Sequence, residues 1–170
     1  MKIAFFKITF IIISLLSIDT FCQGTNLSTQ EVIDMKYMLE EEKVARDVYE
    51  FLDTKWHMRV FNNIKQSEQR HMDMMENLLN TNKVVYQLHD EEGKFHNENL
   101  QTMYDNFIEK GSKSKYDALE VGKMIEVADI EDLEKAIKKT SKSDISDVYS
   151  QLIFASNNHL RAFNRNLSRF

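Results

Sequence analysis

From about residue 30 onward, apolar side chains return every three to four positions along four long stretches, the period of a helix with one buried face. Helix A is expected over residues 30–54, with Ser28 or Thr29 as N-cap and Glu31 just inside. Its face is Met35, Met38, Leu39, Ala45, Tyr49 and Leu52; Glu42 falls within it, while Glu40 and Glu41 are expected to point away from its centre. Helix B, residues 61–80, sets Glu68 and His71 among Ile64, Met72, Met75 and Leu79. The segment 81–114 is the least regular, with a brief extended piece at 84–86, a turn at 90–93 and a short helix over 99–110 stopped at Gly111. Helix C, residues 115–139, buries Ala118, Gly122, Ile125, Leu133 and Ala136, with Asp129 near the middle of the stripe and Glu126 at its edge. Helix D starts from a cap at Ser143 or Asp144 and reaches Leu167, its inner face holding Leu152, Ala155, His159 and Phe163. The pattern predicts an all-α fold: a four-helix bundle whose long crossover, carrying the short extra helix, lets helix C run parallel to helix B.

The chain of 170 residues has no proline and only four glycines, so little interrupts these helices. Net charge is −5, with acidic and basic residues mixed, and no basic block or aromatic–basic interleaving points to nucleic acid. The first residues differ. Lys2 and Lys7 flank a greasy start, and residues 8–18 follow as a nearly continuous apolar run, shorter than the roughly 20 residues that span a bilayer. A secretory leader over 1–22 is expected, cut near Cys22 or Gln23, with a single domain over 23–170 and no membrane association afterwards. Asp19-Thr20-Phe21 does not make a lipoprotein box. A cut after Cys22 would remove the sole cysteine, and with it any disulfide, thiol nucleophile or iron–sulfur site. The mature protein is expected in the periplasm or secreted, taking up any metal there.

Each of the four helices turns a metal-competent side chain inward: Glu42, Glu68, His71, Glu126, Asp129 and His159. Glu68 and His71 stand three apart and so share one helical face. An unpartnered charge in a core costs several kcal/mol, so such groups are paired, or they bind metal. A buried ion pair is the competing reading for each. Two divalent cations would balance four carboxylates, and oxygen donors with two imidazoles suit iron or manganese, with zinc an alternative. His57, His89 and His96 fall in or near connections and are expected to face solvent; the methionines read as core filler. Tyr49 is expected to pack inward with its hydroxyl on a ligand carboxylate.

Glu42-Lys43-Val44-Ala45-Arg46-Asp47-Val48-Tyr49 resembles the first-helix signature of ferritin-like and rubrerythrin-like proteins, and Ser67-Glu68-Gln69-Arg70-His71-Met72 resembles their second-helix Glu-x-x-His. With Ala118-Leu119-Glu120-Val121-Gly122, Ile125-Glu126 through Asp129-Ile130, and Asn158-His159-Leu160-Arg161-Ala162-Phe163, the chain resembles the DUF2202 family, a ferritin-like group. The resemblance implies a carboxylate/histidine di-metal site, iron foremost, and oxidase, peroxidase or ferroxidase chemistry. Dioxygen or peroxide would be the substrate and an external electron donor would be needed. One departure stands out: a second Glu-x-x-His would place Glu three residues before His159, and Ser156 is there. Helix C offers Asp129 instead, with Glu126 or Asp129 as candidate bridging carboxylates and Glu41 an alternative to Glu42. Two other functions stay open: a metal-binding or scavenging module without turnover, and a metal-free interaction or envelope-stress protein. A homodimer is also open.

Overall fold

The computed structural model describes residues 27–170; the expected leader lies outside them. Five helices follow one another: α1 (Thr29–Trp56), α2 (Arg59–Thr81), α3 (Glu98–Gly111), α4 (Lys115–Ile137) and α5 (Ser143–Leu167). No strand occurs among the described residues, and 84–86, expected to be a brief extended piece, is irregular chain. The sequence's own signals set most boundaries. Ser28 and Glu31 form a reciprocal cap: the Ser28 hydroxyl accepts from Glu31 N at 3.1 Å, and the Glu31 carboxylate accepts from Ser28 N at 2.7 Å. Asn97 and Ser114 cap α3 and α4 with side chains that accept from first-turn backbone N–H groups, without the return bond. The start of α5 differs from expectation. Lys142 is the N-cap, without a side-chain cap bond, and Ser143 is already helical.

Three ties fix the topology. Trp56 Nε1 donates to Gly111 O at 2.8 Å, bringing the end of α1 to the end of α3, just before α4 begins. Thr140 Oγ1 donates to Glu31 at 2.6 Å, bringing the end of α4 to the start of α1. Asn82 Nδ2 donates to Asp144 at 3.1 Å, so the end of α2 meets the start of α5. The four long helices therefore run in the ring order α1, α2, α5, α4 with every neighbour antiparallel, and α2 and α4 are parallel across the ring. The crossover between them carries α3, which packs on α1 and α4.

That crossover is held by buried polar contacts from α1. Lys43 Nζ lies 2.6 Å from Asp47 Oδ2 and donates to the carbonyls of Glu91 and Lys94, while Asp47 accepts from Gly93 N at 2.9 Å. Gly93 sits at φ +72 with its Cα side against the Tyr104 ring, so a side chain there is both strained and crowded. Glu40 accepts from the backbone N–H groups of His96 and Asn97. Glu40 and Glu41, expected to point away from the core, are both buried. The physical reason is that α1 contacts α2, α3 and α4, so its covered arc is wider than its apolar stripe.

Two apolar clusters fill the bundle. One gathers Val48, Tyr49, Leu52, Phe61, Leu119 and Phe163; the other gathers Met35, Leu39, Met75, Leu79, Leu133 and Leu152. Each such side chain, fully buried, contributes about 1.5–3 kcal/mol. Between the clusters lies a layer of acids and histidines.

Candidate metal centre

Every long helix supplies that layer: Glu42 from α1, Glu68 and His71 from α2, Glu126 from α4 and His159 from α5, all buried. Glu68 stands between the two imidazoles. Its Oε2 lies 2.7 Å from His71 Nδ1 and its Oε1 2.9 Å from His159 Nδ1. Each histidine also meets one outer glutamate, Glu42 Oε2 at 3.2 Å from His71 Nδ1 and Glu126 Oε2 at 3.4 Å from His159 Nδ1. The rings stack at 5.4 Å. Two groups capable of holding a metal ion result, Glu42–Glu68–His71 and Glu68–Glu126–His159, each with its donor atoms within 4.8 Å of one another.

These donors converge, and three of their atoms are left unsatisfied. Glu68 Oε1 and His159 Nδ1 are close but not aligned as a hydrogen bond, and Glu42 Oε1 also lacks a partner. A buried polar atom left so costs about 1–3 kcal/mol. Several lone pairs aimed at common points fit a cation better than they fit pairwise hydrogen bonding. Tyr49, as expected from its position, donates to Glu126 Oε1 at 2.7 Å and lies 3.3 Å from the Gly122 carbonyl. Gly122 is required here, because any Cβ would run into the Phe163 ring beneath Tyr49.

The carboxylate shared by both histidines is Glu68. Asp129 is buried but stands outside both histidine-containing groups. Ser156, three residues before His159 where a second Glu-x-x-His would place its glutamate, is buried and donates to Leu152 O at 3.0 Å. His57, His89 and His96 are exposed. His89 and His96 stack on each other at 4.0 Å, a pairing no periodicity signals because both lie in the crossover. Sequence reasoning also missed the buried side of Glu41, which faces Asp129 across the α1–α4 seam.

Residues 31–169 match the profile described as "Uncharacterized protein domain (DUF2202)". The chain belongs to the DUF2202 family. It is similar to an uncharacterized protein, MJ0754, of Methanocaldococcus jannaschii, 45% identical over 145 residues that span 85% of this chain and 78% of the relative. The crystal structure of MJ0754 superposes with a TM-score of 0.83, covering 84% of this chain and 82% of that one. A DUF305 fragment from Deinococcus radiodurans matches with a TM-score of 0.67 at 14% identity, over 84% of this chain and 98% of the fragment, a likeness of fold alone.

Protonation in this DUF2202 protein follows the geometry. Burial alone would raise Glu68, but His159 and His71, each close against one of its oxygens, bring it down to about 2. Burial would depress His71, yet the Glu42 and Glu68 carboxylates beside it push it up to about 11; His159, with Glu126 and Glu68 beside it, rises to about 10. Burial raises Glu42 to about 8 and, with the Glu68 charge beside it, Glu126 to about 7. Glu41 and Asp129 are also held well above the ordinary carboxylate range, first by burial and then by acids facing them. Without a cation the layer thus favours charged imidazoles on either side of the Glu68 carboxylate and draws the outer acids toward their protonated forms.

Proposed function

We propose that this protein is a ferritin-like bundle whose polar layer holds two metal ions bridged by Glu68, one by Glu42, Glu68 and His71 and the other by Glu68, Glu126 and His159. The position of Glu68, one oxygen toward each histidine, carries the reading. Three protein donors per ion leave coordination positions free for an outside ligand. Mixed oxygen and imidazole donors suit iron first, then manganese or zinc. A redox-active pair bound here would supply electrons to dioxygen or peroxide, the chemistry of an oxidase, peroxidase or ferroxidase.

The remaining residues hold the donors in place. Tyr49 fixes the Glu126 carboxylate from behind, and Ser67 Oγ, 3.5 Å from His71 Nε2, steadies the ring's outer edge. The two apolar clusters keep bulk water from the layer. Cys22 is the chain's sole cysteine and lies in the expected leader, so electrons for repeated turnover would come from an external donor. The leader pattern supports export to the periplasm or beyond.

Cation binding without turnover is a second reading, favoured by the small space at the centre. The cavity lined by Glu42, Glu68, Glu126 and Asp129 measures about 10 Å³, the room of a single water. Stopped-flow absorbance decides between the two. Protein loaded anaerobically with iron(II) and mixed with dioxygen or peroxide develops a ferric band faster than free iron(II) if it turns over. A band no faster than the protein-free control, with iron still bound, supports binding alone.

A further inference from the structure

Outside the polar layer, α2 and α5 leave an open groove of about 470 Å³ between them. Ser67, Arg70, His71 and Met74 stand three or four apart and so present one face of α2; Phe154 and Ala155 face them from α5. The groove meets the layer at a single donor residue, His71. That imidazole turns Nδ1 inward to Glu42 and Glu68, while Nε2, on the ring's outer edge, lies 3.5 Å from Ser67 Oγ. A molecule seated in the groove would therefore touch the ring from the side opposite the acids.

The lining defines what fits. The volume is that of a site for a small organic molecule. Phe154 is 70% exposed, and with the Met74 thioether and the His71 ring it offers surfaces that attract an aromatic ring. Arg70 is exposed, and no carboxylate among the described residues lines the groove, although the chain carries a net charge of −5. A guanidinium in such company favours an anion, above all a carboxylate, which it can hold through two parallel hydrogen bonds. We propose that the α2–α5 groove binds a small aromatic carboxylate, its ring against Phe154 and the outer edge of His71 and its carboxylate on Arg70. Binding does not depend on metal; its bearing on the chemistry rests on the two-metal reading, through His71. Members of this class with two ring hydroxyls would serve as the external electron donor. Such a ring, in becoming a quinone, passes two electrons to a pair of iron(III) ions, which become iron(II), and releases two protons to solvent.

The test follows backbone and histidine-ring nitrogens by NMR as gentisate, benzoate or uncharged hydroquinone is added to metal-free and zinc(II)-loaded protein. Either carboxylate should give saturable shifts at Ser67, Arg70, Phe154 and the His71 ring. Hydroquinone should bind about tenfold or more weakly, the scale of losing one charge-assisted contact. Arg70→Gln and Phe154→Ala, both at exposed positions, should each weaken gentisate by a similar factor while the melting temperature holds. Carboxylates that give no saturable shift, or that bind both variants as tightly as wild type, overturn the groove site. Shifts centred elsewhere, or that leave the His71 ring untouched, overturn it as well. Saturable groove shifts in a protein that never takes up zinc uphold the groove and remove the two-metal reading. Two zinc ions bound without groove shifts do the reverse.

Discussion

Glu68 Oε1 lies 2.9 Å from His159 Nδ1, across the bundle from α2 to α5, without the alignment of a hydrogen bond. The same carboxylate reaches His71 on its own helix with its other oxygen. One side chain thus links the α1–α2 half of the layer to the α4–α5 half, and the protonation of the whole layer follows from it.

The metal-free protein should lose stability as pH rises from about 5 to about 9. Glu42 and Glu126, raised from 4.5 to about 8 and about 7, bind more protons folded than unfolded, so each weakens the fold as pH climbs through that interval. His71 and His159, raised from 6.5 to about 11 and about 10, contribute fully below 6.5 and lose that contribution as pH rises through their folded values. Glu68, lowered to about 2, acts the other way and only in acid, where its contribution fades below 4.5. Metal binding needs the deprotonated donors and strengthens with pH. Thermal melts with chelator and with excess manganese should therefore diverge as pH rises. Parallel curves would remove metal from the account.

The helices were legible in the sequence because their apolar stripes are regular; α1 and α2 end within about two residues of expectation, the usual precision of such boundaries. Glu42, Glu68, His71, Glu126 and His159 were legible too, as polar residues on those stripes, and the structure brings all five together. What sequence could not give is what lies outside each stripe. Glu40, Lys43 and Asp47 are buried against the crossover, a placement that depends on how a segment without clear periodicity folds back, and Glu41 is buried against α4. The identity of the shared carboxylate was likewise invisible, since it depends on the angle at which α5 presents His159 to α2.

Tyr49→Phe removes the donor to Glu126 Oε1 while keeping the ring between Phe61 and Phe163. An unpaired buried oxygen costs about 1–3 kcal/mol. Urea denaturation of the metal-free variant should show a loss in that range. Metal affinity at the Glu126–His159 group should fall about tenfold or more, because the carboxylate loses its orienting contact. Calorimetric titration with zinc(II) that gives wild-type affinities would show that Tyr49 only packs.

Lys43→Met should loosen the crossover. It leaves Asp47 buried with Arg46 and Gly93 N as its remaining partners and frees the carbonyls of Glu91 and Lys94. Breaking a buried pair costs about 3–5 kcal/mol, less whatever Arg46 recovers. Amide hydrogen exchange should accelerate through residues 91–97 more than in α2 or α5. Uniform acceleration would mean that Lys43 acts on global stability alone.

The central claim is that Glu68 holds two ions at once. The most direct measurement is metal content per chain after anaerobic iron(II) or manganese(II) loading and removal of excess, for wild type and Glu68→Ala. Wild type should carry at least two ions and melt at higher temperature when loaded, as binding to the folded state alone requires. Glu68→Ala should lose both histidine-site ions together. A wild type with no stoichiometric metal and an unchanged melting temperature, or a variant that loses only one of the two, would contradict it.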